Sequence, residues 1–124
     1  MIRNKGSVSA FSELGVFRIL CKFAERHSLE EFVPKPLLQL LKYDQETESE
    51  LLKTLKVFLE YNGNASKAAK ALFIHYKTML YRLERIKEVT QLDLEDNESR
   101  LELEMGLKML HLMGIPNLEV KEKP

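Results

Sequence analysis

The sequence predicts an all-α protein, on three observations. Apolar residues recur at helical rather than strand spacing, and the segments carrying them are separated by residues that stop helices: Pro34 and Pro36, Asn62-Gly63, and Gly114 with Pro116. Residues 64–87, NASKAAKALFIHYKTMLYRLERIK, form the third: two short helices joined by a tight turn. No strand alternation, internal repeat or low-complexity tract competes with this reading. At 124 residues and 44% hydrophobic composition the chain is long enough for one domain with a real core, and too short for two. Its formal net charge of zero hides a polarised molecule, since residues 65–90 carry a net +4 and residues 93–104 a net −5. A locally basic helical motif in an otherwise balanced chain points to a polyanionic partner at that end.

In chain order, residues 1–8 are polar without periodicity and are expected to be a disordered start. Ser9 to His27 reads as a helix with apolar residues around nearly its full circumference, only Arg18, Lys22 and Glu25 making a polar stripe. Such a helix needs cover from the rest of the domain, from a second subunit or from another domain, and Cys21 within it is expected to be a buried structural thiol. Residues 9–33 thus form an N-terminal helix and a linker to an upstream part, and residues 34–116 the main domain. Pro36 opens a short helix to Tyr43. Thr47 or Ser49 is the expected cap of the next helix, with Glu50 completing a capping box after Thr47. Glu48 to Tyr61 is the most periodic helix, with Leu51, Leu55 and Phe58 on one stripe and Leu52 and Leu59 on the next, and should support the two-helix motif from beneath. Gly63 suits the left-handed position that ends it. Beyond the motif, Leu92 and Leu94 should pin a loop from Thr90 to Asp96. Asn97 to Met113 should form a last helix with Leu101, Met105, Met109 and Leu112 on one side and Leu103, Leu107 and Leu110 on the other. The tail from Asn117 to Pro124 is expected to fray.

The motif itself carries the functional signal. Asn64 is a good N-cap, Ala68, Ala69 and Ala71 allow close approach of a crossing helix, and Ile74 is the apolar turn residue. Projected at ~100° per residue, His75 to Lys87 places Met79, Leu83 and Ile86 on one side and Lys77, Tyr81 and Glu84 opposite, flanked by Thr78 and Arg85. One side faces a core; the other is free to enter a groove. Tyr81 is the strongest candidate for contact, because an aromatic ring on a polar face needs something to meet. His75 either caps the second helix, meets a phosphate or fills the turn. Lys67 and Lys70 are either a solvated face or phosphate contacts, and Arg82 pairs with a carboxylate such as Glu50 or Glu60 or reaches a phosphate. Leu80 either touches a thymine methyl, packs on a second subunit or is simply exposed.

Catalysis has no support in the sequence. His27, His75 and His111 lie far apart without carboxylates or thiols at ligand spacing, and no glycine-rich phosphate loop or nucleophile elbow is present. Glu102 and Glu104 lie on different faces of one helix and cannot share a proton. Neither a cofactor nor a metal is expected. One cysteine excludes an intrachain disulfide, no apolar run is long enough to span a bilayer, and a cytoplasmic location without a membrane partner follows as the expectation.

The segment LLKTLKVFLEYNGNASKAAKALFIHYKTMLYRLERIKEVTQLDL resembles the C-terminal DNA-binding domain of the PucR/CdaR family of bacterial transcription regulators. Leu51, Thr54, Leu55, Leu59, Asn64, Ala68, Ala69, Leu72, His75, Thr78, Tyr81, Arg82, Leu83, Ile86, Asp93 and Leu94 carry the likeness, and Phe11 to Leu20 resembles the segment leading into that domain. The resemblance implies a small Fis-like helical domain built around a helix-turn-helix, here with an extra N-terminal helix. It also implies double-stranded DNA as partner, a homo-oligomer, expected to be a dimer, and a small-molecule effector bound by an upstream region. The DNA-contacting residues it suggests are Lys67, His75, Tyr76, Lys77, Thr78, Tyr81, Arg82 and Arg85. Three positions depart from the family pattern: Tyr76 and Leu80 where arginine is usual or frequent, and Lys77 where asparagine often stands. The loss of two guanidinium groups bears on affinity and target sequence rather than on fold.

Overall fold

The computed structural model describes residues 5–115 and contains six α-helices: α1 Lys5–Ala24, α2 Lys35–Thr47, α3 Leu51–Glu60, α4 Ala65–Leu72, α5 Tyr76–Thr90 and α6 Asn97–Leu112, with a short 3-10 turn at Leu29–Phe32. The described residues contain no strand. The chain divides into two compact units, Met1–Phe32 and Val33–Pro124.

In the first unit α1 begins at Lys5, ahead of the expected Ser9, so residues 5–8 are helical; no proline interrupts them. Residues 1–4 of the expected disordered start, and the expected frayed tail, lie outside the described residues. Phe23 stacks on His27 and meets Phe32 edge-on, ring centroids 4.5 and 4.9 Å apart, which folds the 3-10 turn back onto the end of α1. Arg18, Lys22 and Glu25 are exposed as expected. Cys21 is exposed too, which corrects the expectation of a buried thiol. An all-round apolar helix cannot turn every face to one cover, and Cys21 lies on a face left open, as does Ile19.

The second unit is organised around α3, which packs on α2, α4, α5 and α6. Leu51, Leu52, Leu55, Phe58 and Leu59 are all buried, as the periodicity required. The start of α3 differs from expectation. α2 runs on to Thr47, and Glu48 and Glu50, both left-handed at φ 58°, form the connection, so α3 begins at Leu51. Its cap is neither Thr47 nor Ser49, whose hydroxyls bond each other while Thr47 also donates to the Tyr43 carbonyl. Buried Asp44 caps it instead, its two carboxylate oxygens accepting from the Leu51 and Leu52 amides at 2.8 Å each. The extension of α2 carries this carboxylate to the exposed amides of the neighbouring helix end, where opposite partial charge also favours it.

At the other end of α3 the left-handed C′ position belongs to Asn62 (φ 56°), one residue before the expected Gly63. The Gly63 amide donates to the Phe58 carbonyl and that of Asn62 to Leu59, the paired bonds of a Schellman turn. Gly63 follows at φ 81°, and a Cβ there would collide with the Arg100 guanidinium. Arg100 in turn donates from Nε to the Leu94 carbonyl at 2.6 Å and lies over the Phe58 ring, tying the turn to the start of α6. Leu94 is buried and Leu92 half-buried, so the loop is pinned as expected. On α6 the inner face is Leu103, Leu107 and Leu110 with Gly106, where a Cβ would strike Leu37 and Pro34; Leu101 and Leu112 face outward.

Candidate nucleic-acid interface

α4 and α5 make the two-helix motif. Asn64 caps α4, its side chain accepting from the Lys67 amide at 2.9 Å. Buried Ala68 and Ala69 let α4 lie close to its neighbours. A second Schellman turn ends α4: the Ile74 amide donates to Ala69 and that of Phe73 to Lys70, with Phe73 left-handed at φ 61°. Ile74 packs against the core, which fixes the direction in which α5 departs.

α5 then divides lengthwise. Met79, Leu83, Ile86 and Thr90 are buried against α2, α3 and α4, while Tyr76, Lys77, Thr78, Leu80, Tyr81, Glu84 and Lys87 are exposed. The rotation of the helix is the one its sequence pattern demanded. Tyr81 is 65% exposed, Tyr76 52% and Leu80 44%. Tyr76, Lys77, Leu80 and Tyr81 stand at i, i+1, i+4 and i+5, so they share one face of the first two turns.

The start of α5 is open. α3, α4 and α6 each have a carboxylate or amide oxygen on their first amides, the last from Asp96 to Ser99 at 2.9 Å. His75, the N-cap of α5, makes no such bond and its side chain is exposed, so the capping alternative is not realised. Lys67, Lys70, Lys77 and Lys87 are exposed around this end and along the helix, and form no ion pair among the described residues. Unsatisfied amides at a helix start and unpaired ammonium groups make a surface that attracts phosphate.

The two arginines behave differently. Arg82 donates from Nη1 to the hydroxyl of buried Thr54 at 3.0 Å and lies 3.9 Å from the Glu50 carboxylate, tying α5 to α3. Arg85 bonds the Glu88 carboxylate at 2.6 Å and sits 5.7 Å from the Tyr43 ring centroid. The Glu88 bond, and then Tyr43, hold its guanidinium above its ordinary pKa, so it is a fixed cation. Both lie on the flank turned toward α2 and α3. The structure therefore brings His75, Tyr76, Lys77, Thr78 and Tyr81 onto one accessible surface with Lys67 on the adjoining helix, and engages Arg82 and Arg85 with the protein. Phe73, 62% exposed in the turn before α5, was not singled out from sequence. Its signal was an aromatic residue at a left-handed turn position that glycine or asparagine usually fills.

Residues 51–109 match the PucR C-terminal helix-turn-helix domain family. This segment belongs to that family. The chain is 36% identical over 100 residues to the proline-responsive transcriptional activator PutR of Bacillus subtilis, and 31% over 103 residues to the DNA-binding transcriptional activator AdeR of the same organism. These alignments take in 81% and 83% of the chain but 24% of each relative, so the chain spans about a quarter of their length. The carbohydrate diacid regulator of Escherichia coli is 42% identical over 59 residues, which are 48% of this chain and 15% of that protein. No solved structure matches. The relatives are named as regulators of transcription. No helix among the described residues is long and apolar enough to cross a membrane.

Proposed function

We propose that this PucR-type domain recognises operator DNA by laying α5 in the major groove, with Lys77, Thr78 and Tyr81 toward the bases and Tyr76 beside them. The observation that carries the reading is the lengthwise division of α5, in which a buried Met79–Leu83–Ile86 stripe backs an exposed face flanked by lysines that make no ion pair among the described residues. Lys67, with His75 and the open α5 amides, contacts the sugar-phosphate backbone and sets the register. Arg82 and Arg85 hold α5 at its angle on α3 and α2 and contribute charge, not base contacts. In this reading the domain serves a cytoplasmic regulator of transcription that works as a dimer and answers to a small-molecule effector, as the name of the proline-responsive activator PutR suggests for that relative.

The test is a fluorescence-anisotropy titration of the chain against duplexes drawn from upstream of its own operon, repeated at several salt concentrations. Counterion release gives a log–log slope of roughly −0.9 per phosphate neutralised, so Lys67, Lys70 and Lys87 on phosphates give about −2.7 per domain. Specific, salt-sensitive binding is the expected result. Failure to bind any duplex at low salt overturns the proposal and leaves a helical interaction module, the reading that exposed Tyr76 and Leu80 would then support.

A further inference from the structure

The base-facing surface of α5 is poor in the groups that read polar base edges. Guanine is read by arginine or lysine and adenine by the amide of asparagine or glutamine. Among Tyr76, Lys77, Thr78, Leu80 and Tyr81, the exposed residues of the first two turns, Lys77 is the one such group, with no arginine fork and no side-chain amide beside it. Lysine offers a single flexible cation and the hydroxyls a single bond each. The rest of the surface is carbon. Leu80 and Tyr76, one turn apart, form an apolar strip beside the Lys77–Tyr81 row, and large apolar side chains so exposed on a small domain call for a partner.

We propose that Tyr76 and Leu80 are specificity-determining residues that select thymine, each packing against a thymine C5-methyl group in the major groove. The inference rests on the DNA-binding reading and deepens it. In the groove a guanine edge shows two acceptors, cytosine an amino donor, and adenine one of each. A leucine pressed on any of these strips water from polar atoms and returns no hydrogen bond, which is penalised. Thymine alone offers a methyl group at the same edge, so the strip discriminates by what it cannot satisfy elsewhere as much as by what it buries. The flanking Lys67, Lys70 and Lys87 complement the phosphates on either side and commit this strip to DNA rather than to an apolar protein partner.

The experiment removes methyl groups without touching base pairing. A preferred duplex is selected from a random library with the whole chain. Each thymine is then replaced singly by deoxyuridine, and the affinity ratio is measured for the wild type, Leu80→Ala and Tyr76→Ala. Burial of one methyl corresponds to roughly a fourfold change in affinity. At least one position should lose about that much with the wild type and nothing further with Leu80→Ala, and a neighbouring position should behave so with Tyr76→Ala. Both residues are exposed, and unchanged helical circular dichroism confirms that each variant folds. Equal binding of every deoxyuridine duplex, or losses that persist undiminished in both variants, overturns thymine selection while DNA binding stands. If the library yields no preferred duplex, the DNA-binding reading fails and this inference with it.

Discussion

Replacing Asp44 by alanine should destabilise the second unit more than any other single change at a polar side chain. The carboxylate is buried and accepts from two amides, Leu51 and Leu52, each at 2.8 Å. Those amides open α3, the helix on which α2, α4, α5 and α6 all pack. Loss of an N-cap costs about 0.5–2 kcal/mol, and stranding buried donors adds about 1–3 kcal/mol. The two overlap, so the net is about 2–4 kcal/mol, or a fall in Tm of roughly 10–25 °C for a domain of this size. Asp44→Asn keeps one acceptor oxygen and should lose about half as much. Urea and thermal unfolding followed by circular dichroism provide the measurement, and a DNA titration well below the lowered Tm should give an unchanged affinity. A loss under ~0.5 kcal/mol for the alanine variant would mean that the end of α3 is held by something other than Asp44.

Gly63→Ala should cost about 1–3 kcal/mol, because alanine is strained at φ 81° and its methyl would displace Arg100 from the Phe58 ring; urea unfolding reads it, and a neutral result refutes the tie. Arg82→Ala should lower stability by about 1–2 kcal/mol through the lost Thr54 bond and leave the salt slope of DNA binding unchanged, whereas a slope shallower by about one unit would return Arg82 to the phosphates. The outward Leu101 and Leu112 of α6 and exposed Ile19 of α1 should support self-association at tens of micromolar, visible in sedimentation; a strict monomer would assign those faces to a neighbouring domain.

What the sequence made legible was local and periodic. Leu51, Leu55 and Phe58, then Met79, Leu83 and Ile86, repeat at helical spacing, and burial follows because each helix has one place to put such a stripe. The rotation of α5, and with it the exposed candidates, came from the same arithmetic. What escaped was set by contacts across a loop. Asp44 caps a helix seven residues on, through two left-handed glutamates that carry no turn signature. One clue was available: Asp44 shares the face of Leu37 and Leu40, and a carboxylate on an apolar stripe requires a buried partner. Arg82 and Arg85 counted toward a basic motif by charge. The Glu50 partner of Arg82 stood among the sequence alternatives and the Arg85–Glu88 pair is local at i, i+3, whereas the Thr54 bond of Arg82 and the Tyr43 ring beside Arg85 come from tertiary packing. Cys21 failed for the same reason, since burial of an all-round apolar helix depends on what covers it.

The central claim is that the exposed face of α5 binds DNA while its buried face holds the fold. It is tested most directly by measuring affinity for the selected duplex and unfolding free energy side by side for Tyr81→Ala and Leu83→Ala. Tyr81→Ala should weaken specific binding by about tenfold or more with stability unchanged to within ~0.5 kcal/mol. Leu83→Ala should cost about 2–5 kcal/mol of stability and, where still folded, leave the affinity within about threefold. Unaltered DNA affinity in Tyr81→Ala, with a loss only in Leu83→Ala that tracks unfolding, would contradict the account.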